Sequence, residues 1–516
     1  MSSIVSFVDQ FSHLSEQQPQ ALALTVGKNE SLRYQQLWQQ SLALANKIKQ
    51  AGSDSDFFFI LCHRNEMQVT AIIAALMAAI PAAIVDLRQG NVRIAEMLSQ
   101  GNNLCGLVDK AGEKIVNDLL VENRLNTVKC FLSLEESEND FVLTHAAKSV
   151  DDSFDEPGTL STGALPVDTA LILFTSGSTG HPKGVCITAS DIDQRCNAER
   201  QWFELNEADK ILSVLPLNFD VGLIQLLGSL YSGAHHIMAS SWLPADIVKN
   251  IDRWNISGLA LSPMVWQGLL KSKDHEALWA LLNRLRYVTL SGGTLPKSTL
   301  DYIAQNLKNV LLIKTYGQTE MFRIASLKVN KESVALNPES LYSVGLPYSN
   351  VHLAVVDDKG NEVPAGEEGE ILASGMGVMG GYLSENTDAH HLSSGIYTGD
   401  LGYFDKQGHL VISGRKNEMV KIFDQRVFPA DVAHSIEQVI NISPVYVVVS
   451  SDEDPFLIAV IERSITEKTE SELNILMRKN MASHLVPKKI LFIDEVPTTS
   501  SGKIDGVAIK QMMLTN

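Results

Sequence analysis

The regular alternation of short apolar runs with longer amphipathic segments limits what this chain can fold into. From Leu32 to Ile313 and just beyond, the apolar runs are, in chain order, FFFILC, CGLVD, ALILF, KILSVLP, GLALS, YVTLSG and VLLIKTYG. Helix-like segments separate them, and the first of these is expected to end at Gly52. Strands that alternate with helices predict an α/β fold with mainly parallel sheets.

The pattern changes after Ser343. Short alternating strands are separated there by the turn signals Asp-Lys-Gly and Lys-Gln-Gly, which predicts hairpins or a small barrel. Beyond Gly414, two helical and three strand-like segments predict a small α+β domain. We therefore expect a large N-terminal domain of two α/β subdomains plus a small β-barrel, residues 1–414, and a small, mobile α+β C-terminal domain, residues 415–516.

Length and charge narrow the class of protein further. A chain of 516 residues exceeds the size at which a single hydrophobic core stops growing. A net charge of −18 argues against nucleic acid or an anionic membrane as the main partner. The five cysteines are scattered, without a Cys-x-x-Cys pair, and are expected to be thiols in a reducing compartment.

The most apolar stretch, Met67–Val85, approaches the length of a membrane span. It contains Gln68 and Thr70 and is broken by Pro81, so a buried helix followed by a buried strand fits better. The N-terminus has no basic segment of the kind that opens a secretory signal. These features predict a cytoplasmic protein.

The stretch Leu173–Val185, LFTSGSTGHPKGV, follows a predicted strand and contains three glycines, four hydroxyl side chains and one lysine. Glycines let backbone N–H groups curl inward, and the hydroxyls and Lys183 add donors and positive charge, so this composition indicates an anion site. A flexible linker would not explain the lysine. The nucleoside-triphosphate P-loop requires the lysine directly after a glycine, whereas His181 and Pro182 intervene here.

Several motifs in order resemble those of the adenylate-forming superfamily, which includes acyl- and aryl-CoA synthetases and amino-acid adenylation domains. They are LFTSGSTGHPKG (173–184), YGQTE (316–320), YTGD (397–400), GRKNEMVKIFDQR (414–426) and SSGKID (500–505), with weaker matches at LRYQQL, the stretch Ala78–Asp86, SVGLP and GVMGGYL. The resemblance covers nearly the whole chain. It implies an AMP-forming ligase that uses ATP and Mg²⁺.

The resemblance also implies roles for individual residues. The phosphate loop and its neighbours would bind ATP through Thr175, Ser176, Gly177, Ser178, Thr179, Gly180, Lys183 and Gly317. Tyr316 would stack on adenine, Thr319 would contact the α-phosphate, and Glu320 would position the metal ion. Asp400, helped by Arg415, would accept from the ribose hydroxyls.

The resemblance assigns catalysis above all to Lys503. It would touch both the substrate carboxylate and the α-phosphate, offsetting the repulsion between two anions, with Thr319 and Glu320 as the other catalytic residues. The hinge between the domains would be Asn417, where the family usually has aspartate. Asp424 stands where the family usually has glycine. This departure puts in doubt how the thioester-forming step is carried out.

In LNFDVGL (217–223), Asp220 matches an aspartate that binds the substrate's α-amino group in amino-acid-activating members. The alternative is that Asp220 caps a helix beginning near Val221, and the two roles are compatible. A carboxylate there would be unfavourable for a fatty or aryl acid. The rest of the expected pocket consists of Val221, Ile224, Ala260, Thr289, Ser291, Thr315, Arg323 and Ile324.

Arg323 is the unusual member of that set. It could fill the pocket, which would select glycine or alanine, or pair with a substrate carboxylate, which would select aspartate or glutamate. It could also turn out to solvent. We favour the first option, so glycine is the expected substrate.

The acceptor of the activated acid is expected to be a separate molecule. Only thirteen residues follow Lys503, and they contain no pantetheine attachment motif. Stand-alone amino-acid ligases of this superfamily usually serve a phosphopantetheinylated carrier protein, with CoA as the alternative. The rival hypotheses are an acyl- or aryl-CoA synthetase and a degenerate, non-catalytic binding module.

Overall fold

The computed structural model describes residues 5–27, 30–52, 54–135, 140–145, 165–176, 181–271, 274–383, 395–416, 420–422, 425–427, 429–450, 456–481, 485–497, 505, 508–509 and 511–512. The chain divides into two compact units. The first unit consists of Met1–Ala260, Gly317–Phe322 and Ser374–Ile396. The second unit consists of Leu261–Tyr316, Arg323–Ala373 and Tyr397–Asn516.

The first unit is built from alternating strands and helices. Its helices are α1 Phe7–Gln17, α2 Tyr34–Ala51, α3 Glu66–Ala78, α4 Asn91–Leu98, α5 Lys110–Val121, α6 Ala189–Trp202, α7 Asp220–Tyr231 and α8 Pro244–Trp254. Its strands are β1 Leu22–Val26, β2 Glu30–Arg33, β3 Phe58–Leu61, β4 Ala82–Val85, β5 Leu104–Val108, β6 Val128–Glu135, β7 Asp140–His145, β8 Thr169–Ser176, β9 Pro182–Thr188, β10 Lys210–Ser213, β11 His235–Met238, β12 Gly258–Leu261 (which ends one residue into the second unit) and β19 Gly381–Tyr382.

Two sheets order these strands. The first has eight strands in the order β19-β9-β8-β4-β3-β5-β6-β7, and its central pairs are parallel. The second contains the run β12-β10-β11-β1-β2, parallel except for the last pair. Parallel strands buried on both faces read as continuous apolar runs, which is why FFFILC and its counterparts predicted strands correctly. Phe57 and Phe59 are fully buried in the core of the eight-stranded sheet.

The second unit contains the remaining elements. Its helices are α9 Pro263–Leu270, α10 His275–Leu282, α11 Lys297–Asn306, α12 Lys331–Leu336, α13 Pro429–Ile440 and α14 Glu470–Asn480. Its strands, with β14 and β15 continuing into the first unit, are β13 Tyr287–Leu290, β14 Leu311–Gln318, β15 Met321–Val329, β16 Leu346–Pro347, β17 Val351–Val356, β18 Gly369–Gly375, β20 Ile396–Phe404, β21 Leu410–Arg415, β22 Val420–Ile422, β23 Gln425–Val427, β24 Val445–Val449, β25 Leu457–Glu462 and β26 Lys489–Ile493.

The region expected to form a small β-barrel forms a four-stranded sheet in the order β17-β18-β20-β21. Near the C-terminus, β24-β25-β26 form a three-stranded sheet with hydrophobic clusters of its own, which include Val432, Ile436 and Leu473. The fold is thus α/β, with a large N-terminal and a smaller C-terminal domain. The exact boundary at residues 414 and 415 stays a prediction.

The apolar stretch Met67–Val85 forms helix α3 and strand β4, as predicted. Within the described residues no helix is long and apolar enough to cross a membrane. The expectation of thiols throughout is wrong for Cys105 and Cys130. These residues face each other on β5 and β6 and form a disulfide, because parallel pairing brings their Cα atoms to 4.9 Å. The other cysteines are buried thiols.

Candidate active site

The strand pair β8–β9 carries the described ends of the predicted phosphate loop. Thr175 faces Lys183 across the antiparallel pair, and Ser176 faces Pro182. The loop residues between them, 177–180, lie outside the described residues, so the roles predicted for Gly177, Ser178, Thr179 and Gly180 stay predictions.

In the first unit, Tyr382 contacts both Lys183, which was predicted to bind ATP, and Glu320, which was predicted to position the metal ion. The Lys183 ammonium lies 4.9 Å from the centre of the Tyr382 ring, at cation–π distance. The Tyr382 hydroxyl donates to Glu320 Oε1 at 3.2 Å. The Glu320 carbonyl in turn accepts from the Met379 amide at 2.8 Å. Lys183, Tyr382 and Glu320, here called the phosphate group, therefore form one cluster of contacts.

Glu320 is a chemically reasonable ligand for Mg²⁺. Among the described residues there is no group of three or more His, Cys, Asp or Glu that could hold a metal ion by themselves. Mg²⁺ in nucleotide enzymes is commonly held by one or two carboxylates together with substrate phosphates. A single carboxylate with one oxygen oriented by a tyrosine fits that mode. Its role stays a prediction.

Asp220 is the first residue of α7, which begins one residue earlier than expected. Phe219 is therefore the N-cap, without a side-chain cap bond, and the capping role suggested for Asp220 is wrong in that form. Asp220 Oδ1 accepts from the Val221 amide at 2.8 Å. A Cβ at Gly222 would lie 2.2 Å from the Pro216 carbonyl oxygen, so only glycine lets this first turn approach the preceding segment.

Val221, Ile224 and Ala260, predicted to line the substrate pocket, are all buried in the first unit. Arg195 is a buried residue of the same unit that sequence reasoning missed. Its Nη2 donates to the Gly377 carbonyl at 2.8 Å, and its guanidinium lies 5.2 Å from the centre of the Phe322 ring.

Burial lowers the pKa of Arg195, while the carboxylates of Asp191 and Asp220 favour its charged form. A signal for it existed in the sequence. Arg195 lies three residues after Ile192 and one before Cys196, on the buried stripe of α6. A charged residue on such a stripe indicates a buried partner.

In the second unit, Asp400 lies at the centre of the predicted nucleoside-binding residues. The Tyr316 hydroxyl donates to Asp400 Oδ2 at 2.6 Å, and Arg415 Nε lies 2.7 Å from Oδ1. Burial and the nearby Asp400 carboxylate raise the pKa of Tyr316, so its hydroxyl stays protonated and donates. We call Tyr316, Asp400 and Arg415 the nucleoside group.

Thr398 supports the nucleoside group and was not singled out from the sequence, although it belongs to the YTGD motif. Its hydroxyl accepts from the Asp400 amide at 3.1 Å, and its carbonyl accepts from Arg415 Nη1 at 3.3 Å. Thr398 is buried. It therefore orients both charged members of the group.

Three predicted pocket residues of the second unit form a chain of hydroxyls. Thr289 Oγ1 lies 3.0 Å from Ser291 Oγ, which lies 2.7 Å from Thr315 Oγ1. All three are buried, as is Ile324. Hydroxyls that bond to one another are satisfied without water, so this buried surface is polar at little cost.

Arg323 is 5% exposed, so the option that it turns out to solvent is wrong. Its φ of +60° lies in the left-handed region, although it belongs to strand β15. Non-glycine residues in that region are uncommon and cost of order 1–3 kcal/mol unless the surroundings hold them there. Such outliers concentrate at functional sites.

Gly317 lies near the end of strand β14, and Thr319 and Glu320 form the turn between β14 and β15. Asn417, Asp424 and Lys503 lie outside the described residues, so the hinge, the hairpin departure and the catalytic lysine stay predictions.

Comparison with known proteins identifies the class. The family model for AMP-binding enzymes matches residues 11–383, and the model for the AMP-binding enzyme C-terminal domain matches residues 434–503. The chain therefore belongs to the AMP-binding enzyme family, as the motifs predicted, and it is a ligase of that family.

Individual relatives cover most of the chain. A D-alanine–D-alanyl carrier protein ligase of Bacillus licheniformis is 25% identical and covers 98% of this chain and 99% of its own length. A 2-succinylbenzoate–CoA ligase of Listeria monocytogenes is 26% identical over 69% of this chain and 73% of its own length. The structure of the o-succinylbenzoate CoA synthetase of Bacillus subtilis with ATP and magnesium has the same fold, with a TM-score of 0.77 and 21% identity over 98% of this chain and 99% of the other.

Proposed function

We propose that this ligase activates a small amino acid with ATP and transfers it to the phosphopantetheine thiol of a separate carrier protein. One observation carries the proposal: Asp220 opens helix α7 directly before the buried, apolar Val221. A carboxylate beside apolar surface favours a cationic group such as an α-ammonium and disfavours a fatty or aryl chain. The full-length relative named for D-alanine supports this choice.

In the first step, an oxygen of the amino-acid carboxylate attacks the α-phosphorus of ATP. A new P–O bond forms, the bond to the β-phosphate oxygen breaks, and pyrophosphate leaves. We assign the phosphate group, together with Thr175 and Ser176, to the triphosphate, and the nucleoside group to adenosine. Lys503 and Thr319 would stabilise charge at the α-phosphate. Mg²⁺, when held by Glu320 and the phosphates, would neutralise part of the phosphate charge.

In the second step, the carrier thiolate attacks the carbonyl carbon of aminoacyl-AMP, a thioester forms and AMP leaves. We propose rotation of the C-terminal domain about Asn417 between the steps. Because ATP is a substrate, a cytoplasmic location is in keeping with this activity.

In its most specific form, the proposal is that the substrate is glycine. The protein would then resemble the stand-alone glycine–carrier protein ligase of lipid A glycinylation. The buried Arg323 is compatible with a pocket filled by its side chain and also with one that binds a second substrate carboxylate. The D-alanine-named relative supports a small substrate over aspartate or glutamate.

An amino-acid screen of ATP–pyrophosphate exchange tests the proposal. Glycine, D-alanine and L-alanine would be compared with aspartate, glutamate and 2-succinylbenzoate. We expect at least one small amino acid to give exchange about tenfold above the acidic ones. Best turnover with aspartate or glutamate would contradict the filled pocket. No exchange with any acid would favour a binding module.

The catalytic lysine has its own test. Lys503→Ala should lower exchange by orders of magnitude while ATP binding by calorimetry stays measurable, because the lysine acts on the reacting groups. Lys510→Ala removes another lysine near the same terminus, so it is the matched control and should keep wild-type exchange. Undiminished exchange in Lys503→Ala would contradict the assignment.

A CoA ligase is the second candidate, favoured by the relative named for 2-succinylbenzoate and CoA. The acceptor separates the two. We expect a mass increase of a phosphopantetheinylated carrier protein and no loss of free CoA thiol. Consumption of CoA with an aryl acid would reverse the choice.

A further inference from the structure

Lys314 is a buried lysine of strand β14 that none of the roles above uses. It is 4% exposed, and its Nζ donates to the carbonyls of Leu341 and Ser343, each at 2.6 Å. Leu341 belongs to the 3₁₀ helix Pro338–Tyr342, and Ser343 follows it directly. The last carbonyls of a helix need donors from outside it, and here one side chain donates to a helix carbonyl and to the carbonyl that follows the helix.

The segment 343–345 that Lys314 holds is also bound to strand β21. The Val344 amide donates to the Leu410 carbonyl, and the Leu410 amide donates to the Gly345 carbonyl, both at 2.8 Å. Gly345 has a φ of +82°, and a Cβ there would lie 2.1 Å from the Ser326 carbonyl oxygen. Only glycine allows this close approach, so the segment is tightly confined.

Strand β21 leads from this segment to the nucleoside group. Leu410 is its first residue and Arg415 its last, and Arg415 faces Asp400 across the β20–β21 pair. Tyr316, which donates to Asp400, lies two residues after Lys314 on the same strand. Lys314 is therefore connected to Asp400 in two ways. One runs through segment 343–345 and strand β21, and the other runs along strand β14 through Tyr316.

We propose that Lys314 is a positioning residue of the nucleoside group, which sets the separation between Tyr316 and Asp400 by holding segment 343–345 against strand β14. An apolar side chain would fill the same space but would leave two buried carbonyls without their donor, and the segment would shift. The inference rests on the proposed role of Asp400 at the ribose. Lys314 itself need not touch the nucleotide.

Discrimination between ATP and 2′-deoxy-ATP tests this, because a merely structural role would not change it. We would measure kcat/KM for both nucleotides in pyrophosphate exchange, with the best amino acid. In Lys314→Met we expect the preference for ATP to fall at least fivefold, with the KM of the amino acid unchanged. Ser326→Ala is the matched control, since it removes the 2.8 Å bond to the Lys314 carbonyl and keeps the ammonium. It should retain the wild-type preference.

Asp400→Asn shows whether a negative result contradicts the ribose role of Asp400 or the positioning role of Lys314. If that variant keeps the full preference for ATP, the ribose role of Asp400 is wrong. If it loses the preference while Lys314→Met keeps it, the positioning role of Lys314 is wrong. Should Lys314→Met not fold, Ser343→Ala loosens the same segment by removing the hydroxyl that bonds Ser340 and Gly345. A reduced preference there supports the proposal, and an unchanged one overturns it.

Discussion

In the proposed function, the choice of acid depends most on two side chains, those of Asp220 and Arg323. One is a carboxylate at a helix start, and the other is a buried guanidinium in a strained backbone position. A helix start favours a carboxylate, whereas a buried charge such as that of Arg323 is costly unless a partner compensates it. A substitution of either residue therefore gives a testable prediction about how the amino acid is bound or selected.

Asp220→Asn should raise the KM of the amino acid by about tenfold or more and leave the KM of ATP unchanged. The neutral amide keeps the shape of the side chain but loses the charge that would attract an ammonium. Steady-state pyrophosphate exchange measures both constants. Glu276→Gln, an acid in the first turn of α10, is the control and should behave as wild type. A raised KM for ATP alone would argue against an amino-group site at Asp220.

Arg323→Ala distinguishes the two options for the pocket. If the arginine fills space, its removal should let larger amino acids, such as valine or leucine, turn over at rates near that of the natural substrate. If it pairs with a substrate carboxylate, its removal should abolish activity with aspartate or glutamate and admit nothing new. Exchange assays over the same set of acids decide between them.

At the scale of elements, short strands bring together residues that are distant in the chain. The two-residue strand β19 pairs with β9 and places Tyr382 beside Lys183. The turn after β14 presents Glu320 to the same tyrosine. The phosphate group thus depends on the pairing of β9 with β19.

Tyr382→Phe should lower kcat by about tenfold and raise the Mg²⁺ concentration needed for half-maximal rate. The lost hydrogen bond is to a charged carboxylate, a kind worth about 1.5 kcal/mol or more. Tyr397→Phe, on a residue 55% exposed, is the matched control. An unchanged Mg²⁺ dependence in Tyr382→Phe would mean that Glu320 does not depend on Tyr382.

At the scale of the whole molecule, protonation of Lys314 makes the stability of the fold depend on pH. Burial lowers its pKa from 10.5 to about 7. The unfolded chain therefore binds more protons than the folded chain between pH 7 and 10.5, so this lysine makes the free energy of unfolding rise with pH in that window. Below pH 7 both states are protonated and the cost of burying the charge is complete.

Urea unfolding at about pH 7 and about pH 9 measures this. Between these two pH values, the unfolding free energy of wild type should rise by about 2–3 kcal/mol relative to that of Lys314→Met. Lys308→Met, on the preceding loop, should show no such change. A pH-independent difference would mean that Lys314 keeps a normal pKa in the folded protein.

Most of the secondary structure could be predicted because its signals are local. Buried parallel strands read as apolar runs, and the end of α2 at Gly52 and the break at Pro81 follow from backbone chemistry. The resemblance assigned Tyr316 to adenine and Asp400 with Arg415 to the ribose, and in the structure both Tyr316 and Arg415 contact Asp400.

The α/β class, the family and the residues expected to handle ATP follow from the amino-acid sequence, since they depend on periodicity and on contiguous motifs. The burial of the charged residues Lys314 and Arg323, and the contact of Tyr382 with Glu320, emerge only from the folded chain. Burial depends on which distant segments pack around a residue. No local pattern records that, because charged side chains are exposed by default and become buried only where the fold supplies their partners.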